Sequence, residues 1–426
     1  MKRIAIIGAG ISGLTAAQLL KGKAEVVVYE KDSKAGGLIR CERIDGSLFH
    51  TCGGHVFNTK NQEVLDWFWQ RFDKDNEFHK TDRNSVIFLP NGQQIPYPIE
   101  NFAYLLEEDT QKAFIQDLLS MFKTNSQPVE NFKDFLQQRF GDTLYNLYFE
   151  PYNKKVWRRS LTDVPIDWLA GKLPMPTIEE IIYNNFNRVA EKQFVHSTFF
   201  YEKQNGSQWI VDRLSKGISI RCNSRIEQIK REDEHWLVNE EAFDNVIYCG
   251  NIKDIPHLIK GVTLNAYTPS LEALQYHGTT AVFCEIDANP YSWIYLPDDR
   301  YEAHRIICTG NFAASNNGSI PPNRITATIE FTDAISYEEI IDNLMRIPLH
   351  PKYITHKYNQ YTYPIQHKDT REMIASLKQQ ELSKNGFYLT GRFADWEYYN
   401  MDAAMFAAMR IVVEYLQMAK DEKMQL

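Results

Sequence analysis

KRIAIIGAGISG, residues 2–13, decides the fold of this chain. Arg3 to Ile7 make a short apolar run that ends at glycine, the pattern of a buried strand. Gly8, Gly10 and Gly13 follow at G-x-G-x-x-G spacing, and Leu14 to Leu20 continue as a helix rich in Ala and Leu. A second apolar strand, EVVVYE, ends on Glu30. In a dinucleotide-binding strand–helix–strand unit each part has a physical duty. Gly8 permits the tight turn, Gly10 lets backbone approach a pyrophosphate, and Gly13 lets helix and strand pack closely. The helix N-terminus supplies unsatisfied amides, and Glu30 accepts ribose hydroxyls. A glycine-rich surface turn has no need of this order.

The stretch after Glu30, KDSKAGGLIRC (residues 31–41), carries a second glycine pair, Gly36 and Gly37. A flexible linker would explain it. So would backbone running beside a second part of a long cofactor. Here the chain resembles the FAD-binding fold shared by flavin amine oxidases, protoporphyrinogen oxidases and UDP-galactopyranose mutases, in which such a segment follows the pyrophosphate and ribityl chain. The resemblance implies FAD rather than NAD. It also implies an α/β chain: a Rossmann-type FAD-binding domain with a helical insert and an antiparallel β-sheet substrate domain.

Composition agrees with a large enzyme. With 426 residues, 43% hydrophobic and 13% aromatic, the chain can bury more than one core, and two or three domains are expected. A net charge of −8 argues against nucleic acid as a partner, although a local Arg cluster could still bind an anionic substrate. Cys41, Cys52, Cys222, Cys249, Cys284 and Cys308 lack C-x-x-C spacing, so neither a metal site nor a disulfide framework is indicated. Lys2 and Arg3 before an apolar run imitate a signal peptide, but cleavage would remove the glycine fingerprint. No uninterrupted apolar run is long enough for a membrane span, and a cytoplasmic location is expected.

The pattern places the FAD-binding domain in residues 1–75, 196–260 and 385–426, a mainly helical insert in 76–195, and the antiparallel-sheet substrate domain in 261–384. KNQEVLDWFWQRF (60–72) reads as an amphipathic helix, and SVIFLPNGQQIPYPI (85–99) as a hairpin around Asn91 and Gly92. SQWIVDRL (207–214) looks helical, and NVIYCG (245–250) and GFYLTGRF (386–393) read as returns to the parallel sheet. TAVFCEID, SWIYLP, HRIICTG and RITATIEF are the strand candidates of the substrate domain.

FHTCGGHVFNT (49–59) sets His55 beside Gly53 and Gly54. Taken alone, such a His is more often a hydrogen-bonded loop residue than a catalyst. UDP-galactopyranose mutases carry a similar Gly-Gly-His turn beside the reactive face of the flavin, which implies a flavin-facing, positional or electrostatic role for His55. PYNKKVWRRSLTDVP (151–165) is similar to the mutase segment that maps a uracil-stacking Tyr to Tyr152 and a substrate-side Trp to Trp157. AHRIICTGNF (303–312) maps a diphosphate-binding Arg to Arg305, and YTYPI (361–365) places Tyr363 and Tyr361 near the diphosphate. GRFADWEYYNMDAAM (391–405) maps Gly391 and Arg392 to the flavin-binding turn, Tyr398 and Tyr399 to an aromatic pair, and Met401 to a backbone donor. The implied cofactor set also takes in Lys31, Leu38, Gly54, Ile226 and Gly250. The rival readings are ordinary: buried aromatics for the Tyr and Trp residues, a structural salt bridge for Arg305, helix capping at Asn400.

Three positions depart from the mutase pattern. Met175, Pro176 and Thr177 stand where Val-Arg is expected, Thr268 and Pro269 where an Arg is expected, and Asn400 where the motif has Asp. Arg158, Arg159 or Arg83 could supply the missing charge. Two functional classes follow from the resemblance. One is a mutase in which the N5 of reduced FAD attacks the anomeric carbon of a nucleotide-linked sugar, with NAD(P)H as a candidate reductant. The other is an oxidoreductase of the amine oxidase or protoporphyrinogen oxidase type, which passes hydride to the flavin from an apolar, aromatic pocket.

Overall fold

The strand Arg3–Ile7 lies at the centre of a five-stranded sheet in the order Phe387–Leu389, Asn245–Tyr248, Arg3–Ile7, Glu25–Tyr29, Ser219–Arg221. Every neighbouring pair is parallel. This is a computed structural model describing residues 1–123, 128–166, 168, 169, 176–189 and 198–424. Parallel strands are covered on both faces, which is why they read as continuous apolar runs. Ile4, Ile6 and Val28 meet Leu14, Ala17, Met405 and Met409 on one face. Ala5, Val27, Val246 and Leu389 meet Trp236 and Trp396 on the other. The helices Ile11–Leu20 and Met401–Met424 pack together, so the two ends of the chain close one layer.

The second large sheet has seven strands in the order Lys352–Ile365, Gln275–Asp287, Arg324–Thr332, Arg305–Ile307, Trp293–Tyr295, Ser85–Phe88, Gln94–Pro96. Its pairings are antiparallel apart from Trp293–Tyr295 with Ser85–Phe88. Two segments cross the boundaries expected from sequence. The hairpin around Asn91 and Gly92 forms, but its strands complete this sheet instead of belonging to the helical insert, because all four residues of Ser85–Phe88 are buried and need cover. The helix Thr370–Leu377 packs Ile374 and Leu377 into the core of the parallel sheet rather than under the substrate sheet.

Helices Glu108–Lys123, Phe132–Leu144, Glu150–Trp157 and Ile178–Asn187 make the insert among the described residues. Strands Phe78–Asp82 and Thr198–Glu202 pair antiparallel at its base. Lys155 fastens the insert to the seven-stranded sheet by donating to the carbonyls of Leu296 (2.8 Å), Ala303 (3.2 Å) and Asp298. Burial lowers its pKa to about 7. Among the described residues no helix is long and apolar enough to cross a membrane.

Candidate functional site

A groove of about 830 Å³ opens where the parallel sheet's strands end, the place at which open α/β sheets take their ligands. Gly8 begins the first turn with φ +106°, and its amide donates to the Tyr29 carbonyl at 2.8 Å. A Cβ at Gly13 would lie 2.0 Å from the Gly8 carbonyl oxygen, so Gly13 serves packing behind the groove. A Cβ at Gly10 would meet nothing within 4 Å; the space belongs to the groove. Both Glu30 oxygens are held by backbone, Oε2 by the Ala9 amide and Oε1 by the Asp32 amide, each at 2.9 Å. That orients the buried carboxylate at the groove wall.

The second glycine pair clasps the first turn. Gly36 donates to the Ala9 carbonyl at 2.8 Å, and a Cβ at Gly37 would sit 3.3 Å from the Gly10 Cα. Leu38, Ile226 and Gly250 line the groove, as does Lys31, whose ammonium lies 5.8 Å from the Tyr361 ring centre. Gly391, at φ +115°, donates to the buried Asp395 carboxylate at 2.9 Å. Arg392 donates to the carbonyls of Thr362 (2.9 Å) and Tyr399 (3.0 Å). Met401 starts the long C-terminal helix at the groove wall, where the first amides have no partner within the helix. Gly54 is absent from the lining: a Cβ there would strike Ile307 Cγ2 at 2.6 Å, so this glycine lets the loop approach the seven-stranded sheet.

His55 faces the groove from the Gly53–Gly54 turn, and its buried Nε2 has no hydrogen-bond partner among the described residues. Its backbone amide donates to His50 Nδ1 at 3.3 Å, and His50 Nε2 in turn donates to the Tyr201 hydroxyl at 2.7 Å. Burial lowers the His55 pKa to about 4, helped by the nearby Arg392 charge, and burial lowers that of His50 to about 3. Both rings are therefore neutral at physiological pH.

Behind this turn sits the charge cluster. Arg305 pairs through Nε with the fully buried Glu330 and donates from Nη2 to the Tyr363 hydroxyl at 3.0 Å. Burial alone would raise the Glu330 pKa, but Arg305 overrides it and holds the carboxyl far below the usual range. Tyr363 stacks on Tyr398 with ring centres 5.5 Å apart. Tyr152 meets Tyr295 edge-on at 5.5 Å, and burial raises its hydroxyl pKa against the opposing charge of nearby Arg305. Trp157 is buried against Trp168, which itself contacts Tyr398. Its carbonyl accepts from His277 Nε2 at 2.9 Å.

The structure thus brings Tyr152, Arg305, Tyr363 and Tyr398 together, with Trp157 reached through Trp168. Tyr361 and Tyr399 do not join them; both line the groove, and Tyr361 falls in the irregular stretch of pairing between Asn359 and Tyr363. Of the three candidate cations, Arg158 bonds Glu302 and Arg159 bonds Gln275. Arg83 donates to the Tyr295 hydroxyl at 2.8 Å and covers the Trp293 ring at 4.8 Å, on the Tyr152 side of the cluster. Thr268 and Pro269 open a short helix whose Leu271 enters the parallel-sheet core, away from Arg305. Residue 175 lies outside the described residues. Sequence reasoning missed Glu330 and Asp395. Glu330 was detectable as the one acid inside the apolar run RITATIEF; a turn-anchoring Asp395 gives no comparable signal.

Fold and groove together are those of a Rossmann-type dinucleotide-binding protein. Residues 6–72 match the family described as NAD(P)-binding Rossmann-like domain. The chain is 22% identical to the UDP-galactopyranose mutase of Mycoplasma genitalium, over 96% of its own length and 93% of that protein. It is 20% identical to the dTDP-fucopyranose mutase of Escherichia coli, over 99% and 100%. A crystal structure of reduced UDP-galactopyranose mutase superposes with a TM-score of 0.85 at 21% identity, covering 98% of this chain and 96% of that one. The chain is thus similar to sugar-nucleotide mutases over nearly its whole length, and shares its fold with reduced UDP-galactopyranose mutase.

Proposed function

We propose that this protein is an FAD-dependent mutase acting on a nucleotide-linked sugar. The observation that carries the reading is Arg305, a largely buried guanidinium held by Glu330 and Tyr363 inside a tyrosine cluster and joined through Glu330 to the His55 turn. An apolar oxidase pocket for an uncharged substrate has no use for such a cation; a diphosphate does.

With FAD bound, Gly8, Gly10, Gly36, Gly37 and Gly391 would give backbone access for its pyrophosphate, Glu30 would accept ribose hydroxyls, and the amides at the start of the helix at Met401 would suit an electron-rich ring edge. FAD, when bound and reduced, supplies a nucleophilic N5 for the anomeric carbon. The protein's own work is orientation and charge. Arg305 and the Tyr363 hydroxyl stabilise the charge that grows on the diphosphate as its bond to the sugar breaks. Tyr152 offers a flat face to the base, with Trp157 backing the site through Trp168, and neutral His55 offers a ring nitrogen without a partner among the described residues. NAD(P)H is the reductant that this reading assigns.

The test is to load the protein with FAD, reduce it chemically without oxygen, and offer UDP- and dTDP-linked hexopyranoses. The reading expects the furanose isomer with reduced flavin and none with oxidised flavin. Bleaching of oxidised flavin by an amine or a tetrapyrrole-like compound, with no nucleotide sugar bound, would establish the oxidoreductase instead.

A further inference from the structure

Glu330 holds two parts of the site at once. Its Oε1 accepts the Gly53 amide at 2.7 Å, and its Oε2 faces Arg305 Nε, with His304 Nε2 3.7 Å away. Gly53, at φ +65°, starts the turn that sets His55 against the groove. Arg305 and Tyr363 form the other part. The carboxylate is fully buried, in the apolar strand Arg324–Thr332. Burying an ion pair is at best weakly stabilising, and an apolar pair of equal volume commonly does as well. Stability alone therefore does not account for a carboxylate at this position. Its geometry does: one rigid group touches the backbone of the flavin-side turn with one oxygen and the diphosphate-side cation with the other.

We propose that Glu330 is a positioning residue that couples an anion bound at Arg305 to the Gly53–His55 turn, and through that turn to the flavin. The inference rests on the diphosphate reading of Arg305. A phosphate that takes part of the guanidinium's charge loosens its hold on Oε2, and the carboxylate is then freer to draw on the Gly53 amide. Coupling between two sites needs an element whose arrangement both of them bias, and Glu330 is in contact with both.

The test uses the FAD-loaded protein with UDP as probe, following UDP affinity and the UDP-induced difference spectrum of the oxidised flavin. In the wild type, UDP binds and perturbs the flavin spectrum. Glu330→Gln keeps an oxygen acceptor for Gly53, turns an amide N–H toward Arg305 Nε in place of an acceptor, and so releases the guanidinium from the charge that competes for it. UDP should bind at least as tightly, while the spectral change at saturation falls about fivefold or more, since the charge that transmits it is gone. Glu330→Asp covers the case in which the Gln variant does not retain FAD: it keeps the charge but is one methylene too short to reach both partners. UDP affinity should then stay within about threefold while the spectral change is lost. An undiminished change in whichever variant retains FAD overturns the coupling and leaves the diphosphate reading standing. A wild type that binds neither UDP nor dTDP overturns the diphosphate reading and the coupling with it.

Discussion

At Gly13 a single methyl group separates a working cofactor fold from a damaged one. Its Cβ would sit 2.0 Å from the Gly8 carbonyl, and backbone cannot yield as a side chain would. Gly13→Ala should cost about 1–3 kcal/mol or more through overpacking, read as a lower thermal midpoint, and should reduce the flavin that co-purifies. Gly10→Ala makes the contrast. Its Cβ meets only open groove, so stability should hold while FAD affinity falls, which titration against flavin fluorescence would separate. Glu30→Ala strands the buried Ala9 amide and the part-buried Asp32 amide, at about 1–3 kcal/mol of stability for a buried unsatisfied donor, and removes the acceptor offered to ribose hydroxyls, so FAD affinity should drop about tenfold or more. Arg305→Ala should weaken UDP binding by about ten- to a hundredfold, the scale of a charged hydrogen bond, measured by calorimetry. These glycines and acids were legible in the sequence because their spacing is dictated by chemistry within one turn. Glu330 and Asp395 were less so. Glu330's partner Gly53 lies 277 residues away, and no local pattern records that contact; Asp395 bonds Gly391 only four residues back, but nothing in that turn's composition marks the acid out.

The loop 49–59 is the element whose pH response can be worked out. Burial lowers the pKa of His50 to about 3 and that of His55 to about 4, against about 6.5 in an unfolded chain. As pH falls below about 6.5 the unfolded chain takes up these protons first, so stability is intact above that value and declines down to about pH 3, the lower of the two folded values. Each such group contributes a slope of up to about 1.4 kcal/mol per pH unit. His50→Gln should flatten the fall in unfolding free energy, read from denaturant titrations between about pH 6 and 4, by up to that amount per pH unit; an unchanged slope would place the titrating groups elsewhere. Glu330 acts in a different window. Its pKa is depressed, so its contribution is intact above about 4.3 and is lost only at lower pH. Elements differed in legibility for similar physical reasons. The buried parallel strands announce themselves as apolar runs. Lys352–Ile365 lies at a sheet edge with most residues only part-covered, so its sequence mixes Lys, His, Asn and Gln among tyrosines and reads as no strand.

On the scale of the whole molecule, the parallel sheet is assembled from strands at residues 3–7, 25–29, 219–221, 245–248 and 387–389, with the last helix packed on the first. Deleting everything after residue 386 removes an edge strand, the Gly391 turn and the helix that supplies Met405 and Met409 to the core. Such a truncation should lose FAD binding and cooperative unfolding together, which flavin absorbance and a thermal melt would report. Two later returns to this sheet were readable because NVIYCG and GFYLTG each carry an apolar run that reaches a glycine; Ser219–Arg221, an edge strand with exposed residues, carries no such run. The destination of the 85–96 hairpin was not readable, since nothing local tells a strand which distant sheet will bury it. The central claim is that the site rearranges a nucleotide sugar without net oxidation. The direct measurement is to reduce the FAD-loaded protein once without oxygen, supply the nucleotide sugar that binds, and follow product and flavin spectrum together. The account predicts many furanose products per flavin with the flavin still reduced at the end. Product formation that stops at one per flavin, or that requires the flavin to become oxidised, would contradict it.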